Sequence, residues 1–266
     1  MENKQSHSLR GKNAIICGST SGIGLYAAKE FAASGSNVTL FARDEIKLKK
    51  VIKELSTDYN QNHQYIVGNF DIPEDINNLI KENIKNDNSY HILINNSGGP
   101  KAGSIIDSNI NDFLVAFNRH LICNHILATN LLPGMKKFKY GRIVNIISTS
   151  VKQPIQGLGV SNTIRGAVAS WAKTLSFEVA KYGITVNNIL PGFTKTERLS
   201  SLILSKAKLQ NRTEEEIAYE MKKQIPVDRF GLPEETAKAI AFLSSPSASY
   251  INGVSLAVDG GRLTTI

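Results

Sequence analysis

The chain has 266 residues, of which 41% are hydrophobic and 20% are charged. These values are ordinary for globular proteins and exclude a disordered or fibrous chain. The formal net charge of +8 favours anionic partners such as phosphates and acyl carriers. The basic residues are scattered and are not interleaved with aromatic residues, so we expect no nucleic-acid partner. Nucleic-acid binding as a function would rest on the net charge alone, so we rank it last among the candidate functions.

The cysteines and the first residues predict the cellular compartment. Cys17 and Cys123 show neither metal nor redox spacing, which predicts reduced thiols and no metal site. Residues 1–10 are polar and are predicted to form a tail without the apolar stretch of a signal peptide. No uncharged stretch is apolar enough to predict a membrane span. The expectation is a cytoplasmic protein with no membrane partner.

Short apolar runs rich in branched residues alternate with longer amphipathic stretches. The predicted strands are 13–17, 37–41, 64–67, 92–95, 142–147, 185–190 and 254–258. The alternation predicts a single α/β domain over residues 1–266, a Rossmann-type doubly wound parallel sheet with helices on both faces. Residues 196–225 are predicted to form two short helices broken near residues 211–213. We expect this insertion to be a substrate lid.

A glycine-rich turn follows the first predicted strand and opens a helix. Its residues are Gly18, Ser19, Thr20, Ser21, Gly22, Ile23 and Gly24. Glycines let a pyrophosphate approach the backbone, and free N–H groups at a helix amino end attract its charge. A purely structural glycine turn is the alternative, but the strand and helix on either side favour a dinucleotide site.

The end of the second strand bears on the choice of nucleotide. Ala42 offers no carboxylate for a ribose hydroxyl, whereas the guanidinium of Arg43 suits a 2′-phosphate. NADP(H) is therefore favoured over NAD(H). Asp44 is predicted to be the N-cap of the next helix. A solvated surface arginine is the alternative for Arg43.

The clearest helix is predicted to begin at Ser161. Its apolar stripe consists of Ile164, Ala167, Val168, Trp171, Ala172, Leu175 and Val179. Ser161 and Arg165 lie one turn apart and project from the same side of the helix. The alternatives are an N-cap role for Ser161 and a carboxylate partner for Arg165.

In order along the chain, these motifs resemble the short-chain dehydrogenase/reductase family. The glycine turn is followed by Asn95-Asn96-Ser97-Gly98, the strand before Ser148, Pro191-Gly192 with Thr196, and residues 253–261, which end in Asp-Gly-Gly. The chain is similar to a divergent branch of 3-oxoacyl-acyl-carrier-protein reductases. This resemblance implies a seven-stranded sheet and a homotetramer or homodimer, with the Ser161 helix and the last strand in interfaces.

The resemblance also implies cofactor contacts beyond the glycine turn. They are Asp71 and Ile72 near the adenine, Asn95, Ser97 and Gly98 along the ribose, and Pro191, Gly192, Thr194 and Thr196 around the nicotinamide, together with Arg165. Asp71 could equally be a cap or turn residue before Pro73. Asn95 could equally be structural.

In this family an Asn, Ser, Tyr and Lys act together, with tyrosine donating the proton and lysine lowering its pKa. Here the corresponding positions hold His120, Ser148, Ser161 and Arg165, so only the serine is retained. Neither a serine hydroxyl nor a guanidinium is a good acid near neutral pH. His120 is the candidate for proton exchange, with a packed helix histidine as the alternative.

Two functions follow as hypotheses. The first is an NADP(H)-dependent oxidoreductase that transfers hydride between a nicotinamide and a small carbonyl or alcohol, with an acyl thioester as one substrate option. The second is a cofactor-binding protein that has lost proton transfer and acts as a sensor or scaffold.

Overall fold

Seven parallel strands form one sheet, in a computed structural model that describes residues 8–85 and 89–265. The strands are β1 (Asn13–Cys17), β2 (Asn37–Ala42), β3 (Gln64–Val67), β4 (Ile92–Asn95), β5 (Gly141–Ile146), β6 (Ile184–Pro191) and β7 (Ser255–Val258), in the spatial order β3-β2-β1-β4-β5-β6-β7. Every neighbouring pair is parallel. The predicted α/β fold is confirmed, and the strand order reverses between β1 and β4, where doubly wound sheets bind ligands.

Helices cover both faces of the sheet. They are α1 (Gly22–Ala33), α2 (Glu45–Ile52), α3 (Pro73–Lys85), α4 (Ile110–Phe117), α5 (Cys123–Phe138), α6 (Gly159–Val179), α7 (Glu197–Gln210), α8 (Glu214–Lys223) and α9 (Pro233–Ser244). Because side chains alternate along a strand, Ala14 and Ile16 of β1 pack with α1 and α9, whereas Ile15 and Cys17 pack with α3, α5 and α6.

Several predicted boundaries are wrong by one or two residues. β5 ends at Ile146 rather than at residue 147, and β6 extends through Pro191. The helix that carries Arg165 begins at Gly159, with Leu158 at its N-cap position. Ser161 is therefore inside the first turn, and the N-cap alternative for it is wrong.

The predicted N-terminal tail is wrong at Leu9. This side chain is fully buried, and its N–H donates to the carbonyl of Ser34 at 3.0 Å. An isolated apolar residue gave no periodic signal, so only the folded chain shows its anchoring role. Residues 1–7 of the predicted tail lie outside the described residues.

The segment 196–225 forms α7 and α8, with a break at Asn211, whose φ of 51° is left-handed. The two predicted helices are confirmed. Their inner sides form a small core of their own, which includes Leu202, Ile203, Ile217 and Met221. Opening and closing of this segment stays a prediction.

Within residues 8–85 and 89–265, none of the helices combines the length and apolar character needed to cross a bilayer. The same part of the chain contains no cluster of three His, Cys, Asp or Glu residues able to hold a metal. Cys17 and Cys123 are buried and unpaired. Burial raises the pKa of both thiols, that of Cys123 to about 12.

Candidate active site

A cavity of about 480 Å³ opens at the carboxyl ends of β1 to β6. Sixteen of the predicted site residues line it: Gly18, Thr20, Ser21, Gly22, Ile23, Arg43, Asp71, Ser97, Gly98, Ser148, Ser161, Arg165, Pro191, Gly192, Thr194 and Thr196. Five others, Ser19, Gly24, Ile72, Asn95 and His120, are not part of its wall. The fold thus brings most of the predicted set to one place.

The glycine turn is shaped for a close approach of backbone to ligand. Gly18 has a φ of 58°, and a Cβ on Gly24 would lie only 2.1 Å from the carbonyl oxygen of Gly18. Ser19 does not face the cavity, because its hydroxyl accepts a hydrogen bond from Phe41 N–H at 3.1 Å. Ser21, the N-cap residue of α1, makes no capping hydrogen bond with its side chain. The first N–H groups of α1 are therefore available to an anion, which fits a nucleotide pyrophosphate.

Arg43 and Asp44 have different roles at the end of β2. The carboxylate of Asp44 accepts a hydrogen bond from Lys47 N–H at 3.0 Å, so the predicted helix cap is confirmed. Arg43 lies exposed at the cavity wall and forms no ion pair with any residue that the structure describes. Its guanidinium is thus free for a ligand, and binding of a 2′-phosphate stays a prediction.

Asp71 forms an ion pair that the sequence did not predict. Arg119 Nε donates to its carboxylate at 2.6 Å, Arg119 Nη2 also contacts it, and Arg119 Nη1 donates to the carbonyl of Gly98 at 3.2 Å. Neighbouring Ile72 is 44% exposed and points away from the cavity wall. The ion pair offsets the charge of Asp71, and Arg119 connects Asp71 to Gly98 across the cavity lining.

Asn95 ends β4 and Asn96 follows it, and the two side chains have different roles. Asn95 is buried, and its Nδ2 donates to Asn145 Oδ1 at 2.9 Å, which matches the structural alternative. Asn96 lines the cavity and its Nδ2 donates to the carbonyls of Cys17 and Gly18, at 3.2 Å each. Asn96 therefore holds the glycine turn in place. It was missed because the family motif pointed to its neighbour.

His120 lies in a π-helical turn, Asn118–Ile122, and is 2% exposed. Its Nδ1 is 2.7 Å from the hydroxyl of Ser97. Burial, and then the positive charges of Arg165, Arg119 and Arg198, lower its pKa well below 6.5. This shift favours the packed-histidine alternative, and proton exchange by His120 near neutral pH stays a prediction.

This burial predicts a pH-dependent stability. Below pH ~6.5 an unfolded His120 binds a proton that the folded protein excludes, so acid favours unfolding. We expect His120→Gln, which retains an acceptor for Ser97, to flatten the loss of unfolding free energy between pH 6.5 and 5 by up to about 1.4 kcal/mol per pH unit. Urea unfolding at several pH values measures this. His91, whose pKa is also lowered, remains in both proteins, and parallel pH profiles would contradict the assignment.

Ser148, Ser161 and Arg165 all line the cavity. Ser148 follows β5, and its hydroxyl accepts a hydrogen bond from Ser150 N–H at 3.0 Å. Ser161 is 7% exposed, and Arg165, one turn further along α6, is 9% exposed. Arg165 Nη1 donates to the carbonyl of Ile146 at 2.6 Å. Burial and the charge of Arg198 lower the pKa of Arg165 to about 10, so it remains a cation at neutral pH.

Known proteins share both this sequence pattern and this architecture. A family model described as Enoyl-(Acyl carrier protein) reductase matches residues 18–262. The 3-oxoacyl-acyl-carrier-protein reductase FabG of Rickettsia bellii is 33% identical over 255 residues, which cover 96% of this chain and 98% of that protein. The chain belongs to the short-chain dehydrogenase/reductase family. The FabG of Aquifex aeolicus is similar to it at 31% identity over 253 residues, 95% of this chain and 98% of that protein.

Solved structures agree with the family assignment. The L-sorbose reductase from Gluconobacter frateurii, complexed with NADPH and L-sorbose, has a TM-score of 0.91 at 28% identity and covers 98% of this chain and 100% of its own. YwfH, an NADPH-dependent reductase involved in bacilysin biosynthesis, has a TM-score of 0.90 at 25% identity, over 96% of this chain and 99% of its own. The chain is thus related to oxidoreductases, and its fold is theirs.

Two arginines of the cavity wall were not predicted from the sequence. Arg119 precedes His120, and Arg198 follows Thr196 by two residues. The polar residues around them gave no periodic or motif signal. Their proximity to the named motifs was the only available indication.

Proposed function

We propose that this chain is an NADP(H)-dependent oxidoreductase that transfers hydride between the nicotinamide and a small carbonyl or alcohol. The observation that carries the proposal is the shared cavity, which joins the glycine turn and Arg43 to Ser148, Ser161 and Arg165. The free N–H groups of α1 would hold the pyrophosphate, and Arg43 would bind the 2′-phosphate. The nicotinamide, when bound, supplies or accepts the hydride.

The chain's own residues supply charge stabilisation. Negative charge grows on the carbonyl oxygen as the carbon is reduced, and a fixed cation beside that oxygen lowers the barrier. Arg165 provides the cation, while Ser148 and Ser161 provide hydroxyl donors in the same cavity. None of the three is an acid near neutral pH. Water that enters the cavity would therefore protonate the oxygen.

The direct test follows NADPH absorbance against ketones, quinones and acyl thioesters. Turnover that is lost in Arg165→Leu supports the proposal. Absence of turnover with every compound, in protein that binds NADPH, would sink it.

The absence of the family's tyrosine and lysine favours a second candidate, a cofactor-binding sensor or scaffold. The double variant Ser161→Tyr with Arg165→Lys separates the two. If it gains reductase activity that the parent lacks, the chain is a binding protein descended from an enzyme. If the parent is active and the double variant is not, the site works through its own serine and arginine.

Arg43 should set the choice between the two nicotinamide nucleotides. Arg43→Ala removes a charge-assisted contact to the 2′-phosphate, so we expect NADPH affinity to fall about 10- to 100-fold while NADH affinity stays unchanged. Calorimetric titration with both nucleotides measures this. Arg10→Ala, remote from the cavity in the ring contact with Tyr59, is the matched control. An equal loss for both nucleotides would contradict the assignment.

We also propose that the protein is a homotetramer or homodimer that works in the cytoplasm. Phe177 on α6 is 72% exposed and Leu256 on β7 is 38% exposed, and both elements are the proposed interfaces. The unpaired, buried thiols support a reducing compartment. Sedimentation equilibrium should give two or four times the 29.1 kDa chain mass, and a monomer at micromolar concentration would refute the assembly.

A further inference from the structure

The charged groups that line the cavity do not balance. Four guanidinium groups reach its wall, those of Arg43, Arg119, Arg165 and Arg198, against the carboxylates of Asp71 and Glu197. Arg119 is paired with Asp71. Within the described part of the chain, no carboxylate lies within ion-pair distance of Arg165 or Arg198. Two cations of the cavity wall, the buried Arg165 and the exposed Arg198, thus have no carboxylate partner.

Arg198 is held in place by uncharged backbone. Its Nη2 donates to the carbonyl of Pro100 at 2.6 Å, and its Nε and Nη2 would lie 3.5 Å from a Cβ on Gly99. A guanidinium has five N–H donors, so most of them remain for a ligand. The segment Gly98-Gly99-Pro100 thus contacts Arg198 through Gly99 and through the carbonyl of Pro100.

Arg165, on α6, lines the same cavity as Arg198 on α7. Its Nη1 donates a hydrogen bond to the carbonyl of Ile146, and the residue is 9% exposed. The positive charge of Arg198 is close enough to lower its pKa, together with burial. Burying a cation without a partner is costly, so such groups are found where a ligand brings the missing charge. This cost applies to the buried Arg165, and the exposed Arg198 adds a second positive charge to the same cavity, so the two together favour an anion there.

The position favours an anion on the substrate. Phosphate sites are already provided by the amino end of α1 and by Arg43, at the ends of β1 and β2. Arg198 instead lies on α7, with Ile155, Leu158 and Leu202 nearby on the cavity wall. This combination suits a short aliphatic chain that ends in a carboxylate.

We propose that the substrate is a small oxo acid, whose carboxylate binds Arg198 while its ketone oxygen lies against Arg165, Ser148 and Ser161. This inference rests on the proposed function. It names Arg198 as the residue that selects acids over neutral carbonyl compounds.

The test compares acids with their esters. With NADPH, we expect kcat/KM for acetoacetate and 2-oxobutanoate to exceed that for their methyl esters about 10- to 100-fold. Arg198→Gln should remove this preference by lowering the value for the acids and leaving that for the esters unchanged. Lys208→Gln, an exposed cation of the same helix outside the cavity, should change neither value.

Two results would overturn the inference while the proposed function stands. One is an equal loss for acid and ester in Arg198→Gln. The other is a loss of NADPH affinity in that variant by calorimetry, which would place Arg198 on a phosphate of the cofactor.

Malonate, which has no ketone to reduce, separates the inference from the proposed function. Calorimetry on NADPH-saturated protein should show malonate binding that Arg198→Gln weakens about 10- to 100-fold. If no carbonyl compound turns over, such binding still supports the anion site. Absence of malonate binding would overturn it.

Discussion

Replacing Gly24 with alanine is expected to weaken nicotinamide-nucleotide binding by about 100-fold or more, because the new methyl group has no space. Its Cβ would lie 2.1 Å from Gly18 O and 2.6 Å from Asn96 Nδ2. Gly18 belongs to the turn itself, and Asn96, which follows β4, holds that turn by two hydrogen bonds. The turn must shift, so the N–H groups that face the cavity shift with it.

Calorimetric titration with NADPH measures the loss, and thermal unfolding shows whether the variant remains folded. Gly134→Ala in α5 is the matched control, because a Cβ there meets nothing within 4 Å. Gly22→Ala should have an intermediate effect, since its φ of 52° is left-handed and its Cβ would lie 3.3 Å from a methyl group of Thr196. Unchanged NADPH affinity in folded Gly24→Ala would contradict a cofactor role for the turn.

Replacing Arg165 with methionine should separate activity from stability. We expect kcat/KM to fall about 10²- to 10³-fold, because the fixed cation beside the developing negative charge is lost. The free energy of unfolding should stay the same or rise by about 1–2 kcal/mol, because the change removes a buried charge without a carboxylate partner. NADPH oxidation and urea unfolding measure the two effects.

Arg165→Lys is the informative companion. It retains a cation but loses the planar fork that reaches the carbonyl of Ile146. We expect it to recover part of the activity lost in the methionine variant. Full activity in Arg165→Met would show that the guanidinium takes no part in the reaction.

The sequence predicted the elements with strong periodicity and fixed motifs. Alternating apolar runs gave the seven strands, and the glycine turn after β1 gave the end of the sheet where the cavity opens. The predicted cap at Asp44 was confirmed because an N-cap is a local hydrogen bond. Such features depend on neighbours within a few residues, which the sequence itself contains.

Side-chain environment could not be predicted in the same way. The residue type of His120 predicts a group for proton exchange, but burial and three nearby guanidinium groups lower its pKa, which the sequence does not show. Ser161 looked like a helix cap until Gly159 and Val160 were found to start the helix. Leu9 was predicted to be part of a tail, but the structure shows it buried in the core cluster that includes residues of β1 and α1.

By itself the sequence determined the parallel α/β sheet and the glycine turn, and it predicts that Ser161 and Arg165 replace the family's tyrosine and lysine. Only the tertiary structure decided that Asp71 is neutralised by Arg119, 48 residues away, and that Arg165 and Arg198 share one cavity in which no described carboxylate lies within ion-pair distance of either. Periodicity and capping act over one or two helical turns, and the sequence records them directly. Charge balance depends on which distant residues the fold brings together, so it exists only in three dimensions.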